Sequence, residues 1–325
     1  MILAGDVGGT KTLLGLFEPG GRRPRAVDVR TYQSSAVAGA GIIVKEFLSH
    51  QSETHRRVRS ASFGVAGPVV GGRAQLTNVS WAVDGAELAS ILEIERVDLL
   101  NDLEAMAHSV TVLEGDELHF LQAGEAIETG NAALIAAGTG LGEALLHNVA
   151  GRLIPSASEG GHADFAARTN REASLAAEIT RNHGRARYED VISGQGLLNI
   201  HGFTHGGTRC TAVPEPHDIR QTPPLISQSA MEARCAHCVE ALSLFVSAYG
   251  AEAGNLALRA VATRGVWVGG GIAPAILPAL RDGRFMSAFL AKAPLERLVA
   301  RIPVAVILNA QAGLLGAAVH AASSL

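Results

Sequence analysis

Two glycine-rich clusters are the first features of this sequence that could do chemistry. Asp6-Val7-Gly8-Gly9-Thr10-Lys11 lies near the start and Gly138-Thr139-Gly140-Leu141-Gly142 near the middle, each within a run of apolar, β-like residues. Backbone N–H groups and hydroxyls gathered at such turns suit the oxygens of a phosphate. Asp6 adds a carboxylate, which makes sense beside phosphate when Mg²⁺ lies between them, because like charges otherwise repel. Neither cluster is a standard phosphate loop. Gly5 with Thr10-Lys11-Thr12 approaches G-x-x-x-x-G-K-[ST], but Thr10 takes the place of the second glycine and Leu13-Leu14-Gly15-Leu16-Phe17 continues as strand, where a P-loop must open a helix. In the second cluster Glu143 stands where a dinucleotide fingerprint needs its third glycine. Either cluster alone is equally an ordinary β-turn; together they favour nucleotide phosphate.

Asp102 is a candidate of another kind. It follows the apolar run Val97 to Leu100 and precedes a helical pattern from Leu103, so a rigid strand end would hold its carboxylate. There it can orient a hydroxyl and take its proton, or simply cap the helix. Glu159 precedes Gly160-Gly161, glycines that let the backbone approach a ligand closely, and His162 can both donate and accept. Taken singly, Glu189 reads as a solvated acid and His162 as a structural histidine. Gly269-Gly270-Gly271, between the β run Val266 to Val268 and Ile272-Ala273-Pro274, is a strand-to-helix turn open enough for a flat ring, or only a flexible turn. Lys11 reaches a phosphate or lies in solvent. Cys235-Ala236-His237-Cys238 has the C-x-x-C spacing of a zinc or redox site. Set in one long helical pattern, with distant Cys210 as the only further cysteine, it predicts no metal and no cofactor.

The elements that must position these residues alternate between strand and helix, which indicates an α/β protein. Leu3 to Leu14 and Leu134 to Leu146 both read as strand, Gly-rich turn, strand, an internal echo that predicts two related lobes with a cleft between them. Further strands are expected at Ser62 to Ala66, Val97 to Leu100 and Val266 to Val268. Helices are expected at Leu103 to Leu113, Arg171 to Asn182, Ala230 to Arg259, Ala275 to Leu280 and Ala310 to Ala322. His201 to Pro224 reads as an exposed loop without assigned chemistry. Ile302 to Leu325 lacks Asp, Glu, Lys and Arg and is long enough to span a bilayer, but Asn309, Gln311 and His320 interrupt it, so a buried strand followed by a buried helix is expected.

Composition agrees. At 325 residues the chain exceeds what one core usually organises, and 47% apolar with 18% charged residues excludes a disordered or coiled-coil chain. A net charge of -4 and the lack of a long basic run argue against a nucleic-acid partner. Three cysteines point to a reducing compartment, and no basic, apolar leader follows Met1, so a cytoplasmic protein without membrane association is expected.

One family shares these motifs in this order. Asp6 to Lys11, Leu100-Asn101-Asp102-Leu103-Glu104-Ala105, Gly138 to Gly142, Ser158-Glu159-Gly160-Gly161-His162-Ala163-Asp164-Phe165, Tyr188-Glu189-Asp190-Val191-Ile192-Ser193-Gly194 and Gly269-Gly270-Gly271-Ile272-Ala273-Pro274 run from near Met1 toward the final helix. The chain resembles the ATP-dependent bacterial glucokinases, within the actin-like sugar-kinase superfamily. It departs from the repressor/kinase branch, whose zinc-binding cysteine motif it lacks, and no helix-turn-helix precedes its first strand. The resemblance implies a two-lobed actin-like (ribonuclease H-like) ATPase fold with the active-site cleft between lobes. Residues 1–113 plus 303–325 would form the small α/β domain and 114–302 the large one. It also implies transfer of the γ-phosphate of Mg-ATP to the 6-hydroxyl of glucose. Asp102 is then the catalytic base, and Asn101, Asp102, Glu159, His162 and Glu189 hold the pyranose with Asn78 as a neighbour. Asp6, Gly8, Gly9, Thr10, Lys11, Gly138, Thr139 and Gly140 attend the phosphates, with Asp6 holding Mg²⁺ through water, and Gly269, Gly270 and Gly271 receive adenosine. A homodimer is expected on the same basis. A different hexose, or a non-catalytic ATP-binding sugar sensor, stays open at this point.

Overall fold

Ile2-Leu3-Ala4-Gly5 is apolar on both faces, as a strand covered on both sides requires. In the computed structural model Ile2–Val7 (β1) is the central strand of a five-stranded sheet. The structure describes residues 1–53, 57–76, 81–214 and 221–325. The chain divides into two compact units, Met1–Glu114 with Asn309–Leu325, and Gly115–Leu308.

In the first unit β1 pairs antiparallel with β2 (Lys11–Glu18), which pairs antiparallel with β3 (Arg25–Gln33). On its other side β1 runs parallel to β4 (Ser60–Val65), and β4 parallel to β8 (Val97–Asn101), giving the order β3-β2-β1-β4-β8. A small separate sheet joins β5 (Val69–Val70), β6 (Arg73–Gln75) and β7 (Ala82–Asp84). Among the described residues its α-helices include α1 (Ala40–Ser49), α2 (Gly85–Leu92) and α3 (Asp102–Ser109). The C-terminal helix, Ala312–Ala322, packs on α3, β1 and β4. Its Gly316 lies so close to α3 that a Cβ there would stand 1.7 Å from the Ala105 carbonyl oxygen, so only glycine fits.

The second unit repeats the plan. Its sheet has the order β12-β11-β10-β13-β14-β9, built from β9 (Leu118–Gln122), β10 (Ala132–Ala137), β11 (Leu141–Val149), β12 (Arg152–Ser158), β13 (Gly265–Gly269) and β14 (Val304–Ile307). As in the first unit, the central strand β10 makes a hairpin with β11 and runs parallel to β13, which is parallel to β14. The internal echo in the sequence is therefore a repeated topology. Around this sheet lie α4 (Asn170–His183), α5 (Gly194–His205), α6 (Thr222–Met231) and α7 (Ala236–Ala260). Fully buried Tyr249 of α7 accepts the Ala137 N–H at 3.2 Å and donates to the Gly269 carbonyl at 3.3 Å, tying the ends of β10 and β13 together.

Some expected elements differ. The segment 201–224, read as a loop, is helical at both ends: α5 runs to His205, started by Ser193, whose hydroxyl accepts the Gly196 N–H, and α6 starts at Thr222 with prolines in its first turn. The single helix expected over 230–259 is two, because Ala233 takes a left-handed φ of 52° and Cys235 is extended. Val304–Ile307 pairs with β13, so the chain passes to the first unit after Leu308 rather than near residue 303. The segment 302–325 is a buried strand followed by a largely buried helix, and no described helix is long and apolar enough to cross a membrane.

Candidate active site

In the first unit the β1–β2 hairpin turns at Gly8-Gly9-Thr10, closed by the Gly8 N–H donating to the Lys11 carbonyl at 3.0 Å. Buried Ser34 braces it from behind. Its hydroxyl donates to the Gly8 carbonyl at 2.6 Å and its N–H to the Thr10 carbonyl at 3.0 Å, while Thr10 and Lys11 are exposed. Asp6 sits at the end of β1, near the C-terminal helix, where a Cβ on Gly313 would lie 3.0 Å from its Oδ2. Burial, and next the charge of Asp102, push the Asp6 carboxyl up to about 6.

Asp102 is exposed at the first position of α3. Capping falls to both members of the Asn-Asp pair: the Leu103 N–H meets Asn101 Oδ1 at 3.0 Å and Asp102 Oδ1 at 2.9 Å. Asn101 Nδ2 also donates to the Gly67 carbonyl at 3.3 Å. The cap therefore does not depend on Asp102 alone. Asn78 lies outside the described residues. Burial first and the neighbouring Asp102 carboxylate second raise the proton affinity of Asp6, and a divalent cation would offset both, so its carboxylate oxygens would fit Mg²⁺.

In the second unit the Gly138–Gly140 turn is closed by the Gly138 N–H donating to the Gly140 carbonyl at 2.9 Å. Here the brace is an acid. Glu189 Oε2 accepts the Leu141 N–H at 3.0 Å and would stand 2.5 Å from a Cβ on Gly140. The Gly194 N–H donates to the Gly138 carbonyl at 2.8 Å, so both ends of the Tyr188–Gly194 motif grip this hairpin. Backbone bonds from Tyr188 N–H to the Ala163 carbonyl (3.0 Å) and from Glu189 N–H to the Gly161 carbonyl (2.9 Å) dock the Ser158–Phe165 motif on the same segment. His162 is thereby set between two carboxylates, with Nδ1 3.5 Å from Glu159 Oε2 and Nε2 3.9 Å from Glu189 Oε1. Glu159 is widely exposed, His162 half-exposed and Glu189 mostly covered.

Gly269-Gly270-Gly271 follows β13 next to this hairpin, because Gly269 pairs with Ala136 of β10. Gly270 has a φ of +81°, and a Cβ on it would lie 2.3 Å from the Ala137 carbonyl, so the turn needs glycine. Two glycine turns thus leave the same end of adjacent parallel strands, the place where open α/β sheets take ligands.

Beneath the Glu159–His162 turn lies a polar cluster that the sequence reading passed over. Glu143 of β11 is 1% exposed and would stand 2.2 Å from a Cβ on Gly160. Its carbonyl accepts the Ser158 hydroxyl at 3.1 Å. Fully buried Glu252 of α7 is bonded by Arg259 and by Asn255 at 2.8 Å, and Lys292 Nζ donates to Asn255 Oδ1 at 2.7 Å. Burial first, and then the neighbouring Glu252, hold the Glu143 carboxyl well above the ordinary glutamate range, while Arg259 lies within ion-pair reach of both acids. The signal was present: Glu143 interrupts an apolar strand and Glu252 an alanine-rich helix, where an acid has no solvent to meet.

With both halves in place, the Glucokinase family model matches residues 3–324. The chain belongs to the glucokinase family. A glucokinase of Synechocystis sp. is 38% identical, with 99% of this chain and 98% of that protein covered. The crystal structure of a glucokinase from an Antarctic psychrotroph, 28% identical, has a TM-score of 0.87 over 99% of this chain and 98% of that one. The fold is the actin-like (ribonuclease H-like) α/β ATPase fold. A ROK family glucokinase from Streptomyces griseus, solved in complex with glucose and AMPPNP, shares that fold at 21% identity and a TM-score of 0.66, with 99% of both chains covered.

Proposed function

We propose that this protein phosphorylates glucose, transferring the γ-phosphoryl group of Mg-ATP to the 6-hydroxyl to give glucose 6-phosphate and ADP. The observation that carries the mechanism is Asp102, heading α3 at the end of a parallel strand with its charge felt by Asp6. Asp102 aligns the 6-hydroxyl and accepts its proton as the oxygen bonds to phosphorus. Phosphoryl transfer is largely dissociative, so alignment contributes at least as much as basicity. Asn101, Glu159, His162 and Glu189, with Asn78, pair the remaining sugar hydroxyls, since each one left unpaired when buried is penalised. Gly8, Gly9, Thr10, Lys11, Gly138, Thr139 and Gly140 attend the phosphates, and Gly269 to Gly271 the adenosine. Asp6 would hold Mg²⁺ through water, and the ion, when bound, offsets charge on the phosphate oxygens. The proposal extends to a cytoplasmic homodimer.

A hexose panel with ATP, followed by ADP release, tests the reading. Glucose should give the highest kcat/KM. A better result with mannose, fructose or an amino sugar would reassign the substrate, and ATP binding without turnover of any hexose would replace the enzyme with a sensor.

A further inference from the structure

His201 and His205 stand one turn apart at the end of α5, so their rings share a face, with centroids 4.0 Å apart. The chain after α5 brings Cys210 against them, and the first turn of α7 brings Cys238. One ligand atom from each of the four lies within 4.8 Å of every other, and His205, Cys210 and Cys238 are buried. The sequence kept Cys210 apart from the C-x-x-C pair. In the fold its sulfur is 3.7 Å from that of Cys238.

Two observations set this cluster apart from ordinary packing of thiols and imidazoles, and a third agrees with them. The sulfur separation, which an S–H···S contact also gives, fits two thiolates on one tetrahedral ion, since bonds of about 2.3 Å place the sulfurs roughly 3.8 Å apart. His205 Nδ1 lies 2.8 Å from the His201 carbonyl, which can only accept, so Nδ1 carries the proton and Nε2 presents its lone pair. His201 Nε2 is buried and has no hydrogen-bond partner among the described residues, a position that a metal would fill.

We infer that Nε2 of His201, Nε2 of His205, and the sulfurs of Cys210 and Cys238 form a tetrahedral Zn²⁺ site. Two imidazoles with two thiolates select zinc over Mg²⁺ or Ca²⁺, which take oxygen ligands. Four protein ligands leave no open position, so the ion is structural: it joins the end of α5 to the start of α7 and releases the two thiol protons on binding. Cys235, although its sulfur is 3.5 Å from His205 Nε2, is not among the four residues whose ligand atoms all lie within 4.8 Å of one another and is more exposed than Cys238, so it is assigned as a neighbour rather than a ligand. The other end of α5 begins at Gly194, whose N–H holds the Gly138 turn, so the ion would also steady that turn.

The full-length protein, purified under reducing conditions from zinc-supplemented medium without chelator, is assayed for bound metal by mass spectrometry. It is then stripped and titrated with Co²⁺. About one zinc per chain is expected. Co²⁺ should saturate at the same ratio, with thiolate-to-cobalt charge-transfer bands and the intense visible bands of a tetrahedral site. Cys210→Ser and Cys238→Ser should lose both signals while Cys235→Ser keeps them. Circular dichroism checks that each variant folds, and the wild-type titration decides the matter if one does not. Wild-type protein that carries no zinc and gives no cobalt charge-transfer band overturns the site. So does a Cys210–Cys238 disulfide in the reduced preparation, or zinc lost on Cys235→Ser but retained on Cys238→Ser.

Discussion

Behind the Gly8–Lys11 turn stands Ser34; behind the Gly138–Gly140 turn stands Glu189. Both hairpins leave the central strand of their sheet in the same way, and both need backbone carbonyls and N–H groups held in place. In the first unit a neutral hydroxyl does the holding, so Asp6 and Asp102 are not needed as braces of the turn. In the second an acid is spent on it, one oxygen taking the Leu141 N–H and the other facing His162 at 3.9 Å. One duplicated plan thus carries different electrostatics: the Asp6 and Asp102 carboxylates and the Lys11 ammonium attend the first hairpin, whereas beside the second the Glu189 carboxylate takes the Leu141 N–H and faces His162.

The largest test of that contrast is Asp102→Ala, for which steady-state assays should show kcat lower by about 10²-fold or more. Thermal melts should move little, because Asn101 still accepts the Leu103 N–H. Full activity would remove the first unit's acid from the chemistry. Next in size, Glu189→Ala leaves a backbone donor without its acceptor and should cost about 1–3 kcal/mol in urea unfolding. Glu189→Gln retains an acceptor oxygen and should recover most of that loss; equal stabilities for the two variants would show that Glu189 is no brace. Ser34→Ala keeps the Ser34 N–H bond and loses only hydroxyl bonds, so about 0.5–1.5 kcal/mol is expected. Glu143→Gln should change least near neutral pH. Because the folded protein holds the Glu143 proton to higher pH than the unfolded chain does, wild-type stability falls as pH rises above the ordinary glutamate range. Melting curves across pH should show a shallower decline for Glu143→Gln and a higher melting temperature than wild type on the alkaline side.

Much of this was legible before any coordinates. The duplicated hairpin could be read because a strand with both faces covered writes itself as an unbroken apolar run, and tight turns demand glycine. The Asn101-Asp102 pair was legible as a strand end meeting a helix start. The bracing role of Glu189 was not, because it depends on its side chain accepting a backbone N–H from a segment some fifty residues away in sequence. Glu143 and Glu252 went unread for the same reason: each is tolerable only beside Arg259, a partner that spacing along the chain does not reveal. The split at Ala233 was hidden because alanine favours helix everywhere except where tertiary contacts force a left-handed turn. Cys210 joined Cys238 through a loop closure that no local pattern encodes.

The C-terminal helix carries a consequence for biosynthesis. Leu314, Ala317, Ala318 and Ala321 complete the apolar layer containing Ile2, Ala4 and Leu100, and Ser60 donates its hydroxyl to the Ala321 carbonyl at 2.8 Å. A ribosome delivers Met1–Glu114 first, yet that half waits, with an open greasy flank, until nearly two hundred intervening residues have been translated. The later half holds all of its own sheet and can settle earlier. The portion made first is therefore finished last, and nascent chains stalled before residue 309 should be the ones that engage holdase chaperones.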